Sequence, residues 1–93
     1  MKEKIRNEIL TLKNIEEKPN KFGNISFYVN GIEFCHFHSN NQIDIRKPKN
    51  FSSIDTRIEK NSFSNLWLLF NFQNKKDMQD MINIIKKTYK EIT

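Results

Sequence analysis

Two histidines, His36 and His38, are the side chains of this chain best suited to chemistry. They stand one residue apart in Glu33-Phe34-Cys35-His36-Phe37-His38, and no other histidine occurs. Imidazole ordinarily changes charge near neutral pH, so a fixed pair suits proton transfer, hydrogen bonding to a ligand or metal ligation. Zinc needs three or four ligands. The nearby candidates Glu33, Cys35 and Asp44 are expected on the other face, so no metal is assigned. Adjacent strand residues point to opposite faces, which keeps Cys35 and His36 from forming a nucleophilic dyad. Ser39 has no evident base, and Gly23 and Gly31 do not make a phosphate-cradling loop.

The element that must position the pair is a β-hairpin. Asn30-Gly31 suits a two-residue turn in which both central residues take φ > 0. Strands are expected over 25–29 and 32–38, with Val29 opposite Ile32, Phe27 opposite Phe34 and Ile25 opposite His36. Asn40-Asn41 offers a second tight turn. A third strand over 42–46 then sets Ile43 opposite His38 and Ile45 opposite His36. In this register both imidazoles share the apolar face with Phe34 and Ile45, at the end of the hairpin away from Asn30-Gly31. The opposite face carries Ser26, Tyr28, Glu33, Cys35, Phe37, Asp44 and Arg46, together with Trp67 or Leu68.

The remaining elements frame that hairpin. Ile5, Ile9 and Leu12 make a helical stripe near the N-terminus, and Pro19 ends any continuation. Residues 20–24 read as a loop. Residues 51–55 suit a short helical turn, 57–60 a weak strand and 62–65 a turn. Leu66 to Phe72 reads as a central strand. Asn74 caps a last helix, with Asp77 at its third position. Met78, Met81, Ile82, Ile85 and Tyr89 form that helix's apolar stripe. The fold class is therefore α+β, in two layers: a mainly antiparallel five-stranded sheet with N- and C-terminal helices packed on one face. Residues 1–93 form one domain.

Composition bounds the function broadly. Sixteen Lys and Arg against eleven Asp and Glu leave a net charge of +5, which favours anionic partners without naming one. The Lys pairs at 75–76 and 86–87 read as solvated helix surface. Cys35 is the only cysteine, which rules out an internal disulfide and fits a reducing compartment. Residues 1–12 are charged throughout and lack a signal peptide's apolar centre. No apolar run reaches membrane-spanning length. A cytoplasmic location is expected.

The block Phe22-Gly23-Asn24-Ile25-Ser26-Phe27-Tyr28-Val29-Asn30-Gly31-Ile32-Glu33-Phe34-Cys35-His36-Phe37-His38 resembles the fungal-luciferase-like domain family, whose small bacterial and archaeal members were long filed as a domain of unknown function. Asp44-Ile45-Arg46-Lys47-Pro48, the aromatic strand from Trp67 to Phe72 and Tyr89 near the end of the closing helix extend the likeness over about residues 22–90. The resemblance implies cofactor-independent chemistry on a small organic molecule. It also implies a further histidine soon after the Glu of the next strand, where this chain has Asn61 after Glu59.

Two uses of the chain follow. In the first, a small organic ligand meets His36 and His38, the candidate catalytic groups, against apolar walls from Phe34 and Ile45. No cofactor is assigned. In the second, Tyr28, Phe37 and Arg46 form an interaction face, most simply for a homodimer. Partly buried histidines with a purely structural role fit the same residues. A nucleic-acid reading meets aromatic residues on an open sheet but no RNP-like motif, and the basic residues spread over both helices.

Overall fold

The structure, a computed structural model, describes residues 1–49, 51, 55–60 and 66–93. The helical turn expected within 51–55, the turn over 62–65 and Asn61 lie wholly or mostly outside the described residues. Helix α1 (Lys2–Leu10) is followed by strands β1 (Ile15–Pro19), β2 (Ile25–Val29), β3 (Ile32–Ser39), β4 (Gln42–Arg46), β5 (Ile58–Lys60) and β6 (Trp67–Asn71), and then by helix α2 (Lys75–Ile92). The strands form one antiparallel sheet in the order β1-β2-β3-β4-β6-β5. Both helices bury their apolar stripes on one side of it. Ile5 and Ile9 of α1 and Met78, Met81, Ile82 and Ile85 of α2 join Phe27, Val29, Phe34, Ile43, Ile45, Phe70 and Phe72 in a single core. The two-layer α+β expectation holds, with six strands in place of five.

The additional strand is β1. Helix α1 ends at Leu10, where the Thr11 hydroxyl donates to the Glu8 carbonyl. Asn14 then takes φ 65°, a left-handed value that Asn tolerates better than most residues. The chain turns back, and Ile15–Pro19 pairs with β2 as an edge strand. Its single inward apolar residue is Ile15. Glu16, Glu17, Lys18 and Pro19 are exposed, and Arg6 of α1 donates to both carboxylate oxygens of Glu17.

The Asn30-Gly31 turn forms as expected, with φ 52° and 79° and Val29 opposite Ile32. Beyond it the register departs from the expectation. Tyr28 faces Glu33, yet Phe27 faces Cys35, so Phe34 is one residue more than β2 can match. This β-bulge lets two successive apolar side chains, Phe34 and Cys35, both lie under the helices, fully buried. Strict alternation would have sent Cys35 outward. Every later residue of β3 is thereby reversed: Phe37 enters the core and His36 leaves it. A second shift, between Phe37 and Ser39, makes His38 the unmatched residue of β3 against β4.

Elsewhere local signals hold. Residues 20–24 close a loop in which the Asn20 side chain accepts from the Phe22 and Asn24 amides. The Asn74 side chain caps α2 by accepting from the Asp77 amide at 2.9 Å, and Asp77 in turn accepts from the Gln73 amide at 3.0 Å. Arg57, just before β5, ties the lead into that strand to the first turns of α2. Its guanidinium donates to Asp55, to Asp77 at 2.7 Å and to Asp80 at 2.9 Å, and lies over the Phe70 ring.

These bonds hold the three carboxyls below their ordinary range. Asp55 is pulled to about 2 by the hydrogen bonds from Arg57. Asp77 is lowered first by Arg57 and then by the Gln73 amide, and Asp80 first by Lys76 and then by Arg57. A carboxyl depressed by folding stabilises the fold above its ordinary value and ceases to do so as pH falls through its folded value. The urea midpoint should therefore drop between about pH 4 and about pH 2. In R57Q that slope should be clearly shallower and the midpoint at pH 7 lower, as circular dichroism across a pH series would show.

Candidate functional site

With the helices on one side, the other side of the sheet is left uncovered by any described helix, and His36 and His38 lie there. Asp44 of β4 joins them, because it stands opposite His36. One oxygen of Asp44, Oδ2, lies 2.9 Å from His36 Nε2 and 3.3 Å from His38 Nδ1. The other ring nitrogen of His36, Nδ1, lies 3.4 Å from Glu33 Oε2, and all three imidazole–carboxylate contacts are close approaches without hydrogen-bond geometry. Two imidazoles thus converge on one carboxylate, and the first of them sits between two.

Exposure divides the roles. The Asp44 side chain is 6% exposed and that of His36 16%, while His38 is 52% exposed. A carboxylate beside Nδ1 of His38 favours the tautomer carrying its hydrogen there, which leaves Nε2 as an acceptor turned away from Asp44. Of the two imidazoles, His38 is thus the one that solvent reaches, with Asp44 beside its Nδ1 and His36 held behind them.

Neighbouring side chains give the site a wall. The Trp67 ring meets the His36 ring at 5.1 Å and 62°. The Arg46 guanidinium lies over Trp67 at 4.9 Å and its Nε donates to the Glu33 carbonyl at 2.9 Å. Ser26, opposite His36 on β2, is fully buried. Its Oγ makes no hydrogen bond, and neither do Glu33 Oε2 and His36 Nδ1.

Several sequence expectations need correction. The imidazoles do share a face, but it is the face without helices. Phe34 and Ile45 lie on the other side, fully buried, with Phe34 against the Tyr89 ring, so they form no wall for the histidines. Ile45 faces Cys35 and Ile43 faces Phe37, not His36 and His38. Glu33 and Asp44 share the histidines' side. Of the expected interaction face, Tyr28 and Arg46 are on the open side, while Phe37 is buried against Phe27. Cys35 is buried and its thiol is pushed well up by desolvation, which disfavours a nucleophilic thiolate.

Asp44, Glu33 and Trp67 are the members that sequence reasoning did not unite with the pair. A signal was present. Polar Glu33 and apolar Phe34 alternate until Cys35, after which the phase is inverted through His36, Phe37 and His38. An apolar doublet inside an alternating strand marks a bulge.

Among the described residues, no group of three or more His, Cys, Asp or Glu side chains is arranged to hold a metal ion. A shallow crevice with no room for an enclosed water molecule lies between the two helices, lined by Ile9, Leu12, Ile82 and Ile85 and by the Glu8–Lys86 ion pair. It is smaller than usual ligand sites and is on the side of the sheet away from the histidines. Comparison of the chain with family models, curated proteins and solved structures finds no match.

The arrangement makes one spectroscopic prediction. Nitrogen-15 NMR of the imidazole rings at pH 8 should find His38 with hydrogen on Nδ1. In D44N the tautomer of His38 should shift toward Nε2–H, the form commoner in free histidine. An unchanged tautomer ratio would remove Asp44 as the orienting group.

Proposed function

We propose that this chain is a small luciferase-like domain that binds a small organic ligand on the open side of its sheet and exchanges a proton with it through His38. The observation that carries the reading is the convergence of both imidazoles on the nearly buried Asp44 carboxylate. A buried carboxylate is costly unless its partners are fixed around it, so the cluster is pre-organised without any ligand. Pre-organised acid–base groups are what proton transfer requires. The ligand class is an organic molecule with an acidic O–H or N–H, accepted by His38 Nε2. The resemblance to the luciferase-like family supports the same class. The buried single thiol is in keeping with a cytoplasmic setting. No helix among the described residues is long and apolar enough to cross a membrane.

A thermal-shift screen of phenols, hydroxypyrones and carboxylic acids tests the proposal, since a ligand bound to the native state raises the apparent melting temperature. We expect at least one class to stabilise the wild type. H38Q should weaken that binding by about ten-fold or more, one charge-assisted hydrogen bond's worth. Because His38 is half exposed, the unliganded melting temperature of H38Q should stay close to wild type. Failure of every class, or equal binding by H38Q, would overturn the reading.

A further inference from the structure

The sheet has six strands, so its midline runs between β3 and β4. On the open side, successive strand partners set Lys18, Ser26, His36, Asp44, Leu69 and Glu59 in one row. The row begins with a cation on one outer strand and ends with an anion on the other. Lys18 and Glu59 are both exposed. Nearer the Asn30-Gly31 turn runs a second row. Tyr28 faces Glu33, Arg46 faces Trp67, and the Arg46 side chain bonded to the Glu33 backbone joins the two pairs.

Consider a second copy turned about a two-fold axis that runs along the strands at the midline. The operation reverses the strand order and brings the two open faces together. Lys18 then meets Glu59 of the second copy. In the other row Glu33 meets the second copy's Arg46, and Tyr28 meets its Trp67. Ser26 meets Leu69. Lys18 with Glu59 and Arg46 with Glu33 oppose unlike charges, and the two aromatic residues meet each other. Aligned sheets packed at about 10 Å and roughly −30° are a common sandwich geometry, with side chains interdigitating. Six strands of three to eight residues, about five on average, span roughly 29 Å by 17 Å. That plan area, once roughened by side chains, is of the order of the ~800 Å² per partner of a standard interface.

We infer that the open side of the sheet is a homodimer interface, self-complementary about a two-fold axis between β3 and β4. The inference does not rest on the ligand reading. His36 and Asp44, beside the axis, are already largely covered within their own chain, while His38, near the strand ends, would stay at the rim where a ligand can still reach it.

The test is sedimentation velocity of the full chain from about 1 to about 100 μM without ligand, where a standard-size interface populates a dimer. The expected species has twice the 11.2 kDa chain mass. K18E and E59K each place like charges against each other twice per dimer, and each should weaken association about ten-fold. K18E has acidic groups at both ends of its row and E59K basic groups at both ends. Mixing the two chains should therefore restore association as a heterodimer, and the K18E/E59K double variant should restore the homodimer. Both sites are exposed, and circular dichroism would verify that each variant is folded. A wild-type monomer at all concentrations would overturn the inference. So would a dimer indifferent to both substitutions, or mixed variants that associate no better than either alone. None of these outcomes bears on ligand binding by H38Q.

Discussion

Phe34 is one residue more than β3 needs to match β2, and that surplus decides which side of the sheet each following side chain takes. A sheet with helices on one side offers two unlike environments, one dry and one open. The bulge sends Phe34 and Cys35 together into the dry one, where each is fully buried, and Phe37 follows. The same offset expels His36 and His38 and sets them beside Asp44. Had the strand kept simple alternation, the imidazoles would lie under α1 and α2 with Cys35 and Phe37 in the open. The packing of the core and the composition of the open face are therefore one decision.

The open face is organised by charge more than by apolar area. Asp44 is nearly buried, and an unpaired carboxylate in that position would be strongly unfavourable. Two imidazoles close around it, with Glu33 beside the first. Lys18 lies over the Tyr28 ring at 4.6 Å and Arg46 over Trp67, so the aromatic residues each carry a cation. Such contacts are modest where exposed and stronger where water is excluded. A ligand or a second sheet covering this surface would strengthen them, because their surroundings would become less polar.

Local features were readable in the sequence. Strands 25–29 and 42–46, the Asn30-Gly31 turn, the Asn74 cap and the apolar stripe of α2 each leave a signature within a few residues. The two-layer α+β class follows from them. Strand β1 was not readable because it holds one inward apolar residue, Ile15, among charges. Its conformation comes from pairing with β2, not from its own pattern. The face of the histidines was misread because register depends on the partner strand, and only the Phe34-Cys35 doublet betrays the offset. Asp44 was placed on the correct face, and it was separated from the histidines only because they were assigned to the other.

The borders of the sheet have a consequence of their own. One border is β1, where Glu16, Glu17 and Lys18 stand exposed and Pro19 lacks an amide hydrogen. The other is β5, three residues long. Among the described residues, neither presents a long, neutral ladder onto which another chain could add a strand. Ribbon-like growth, the usual route from native sheets to fibrils, is denied at both margins, so whatever assembly the broad face supports closes on itself instead of propagating.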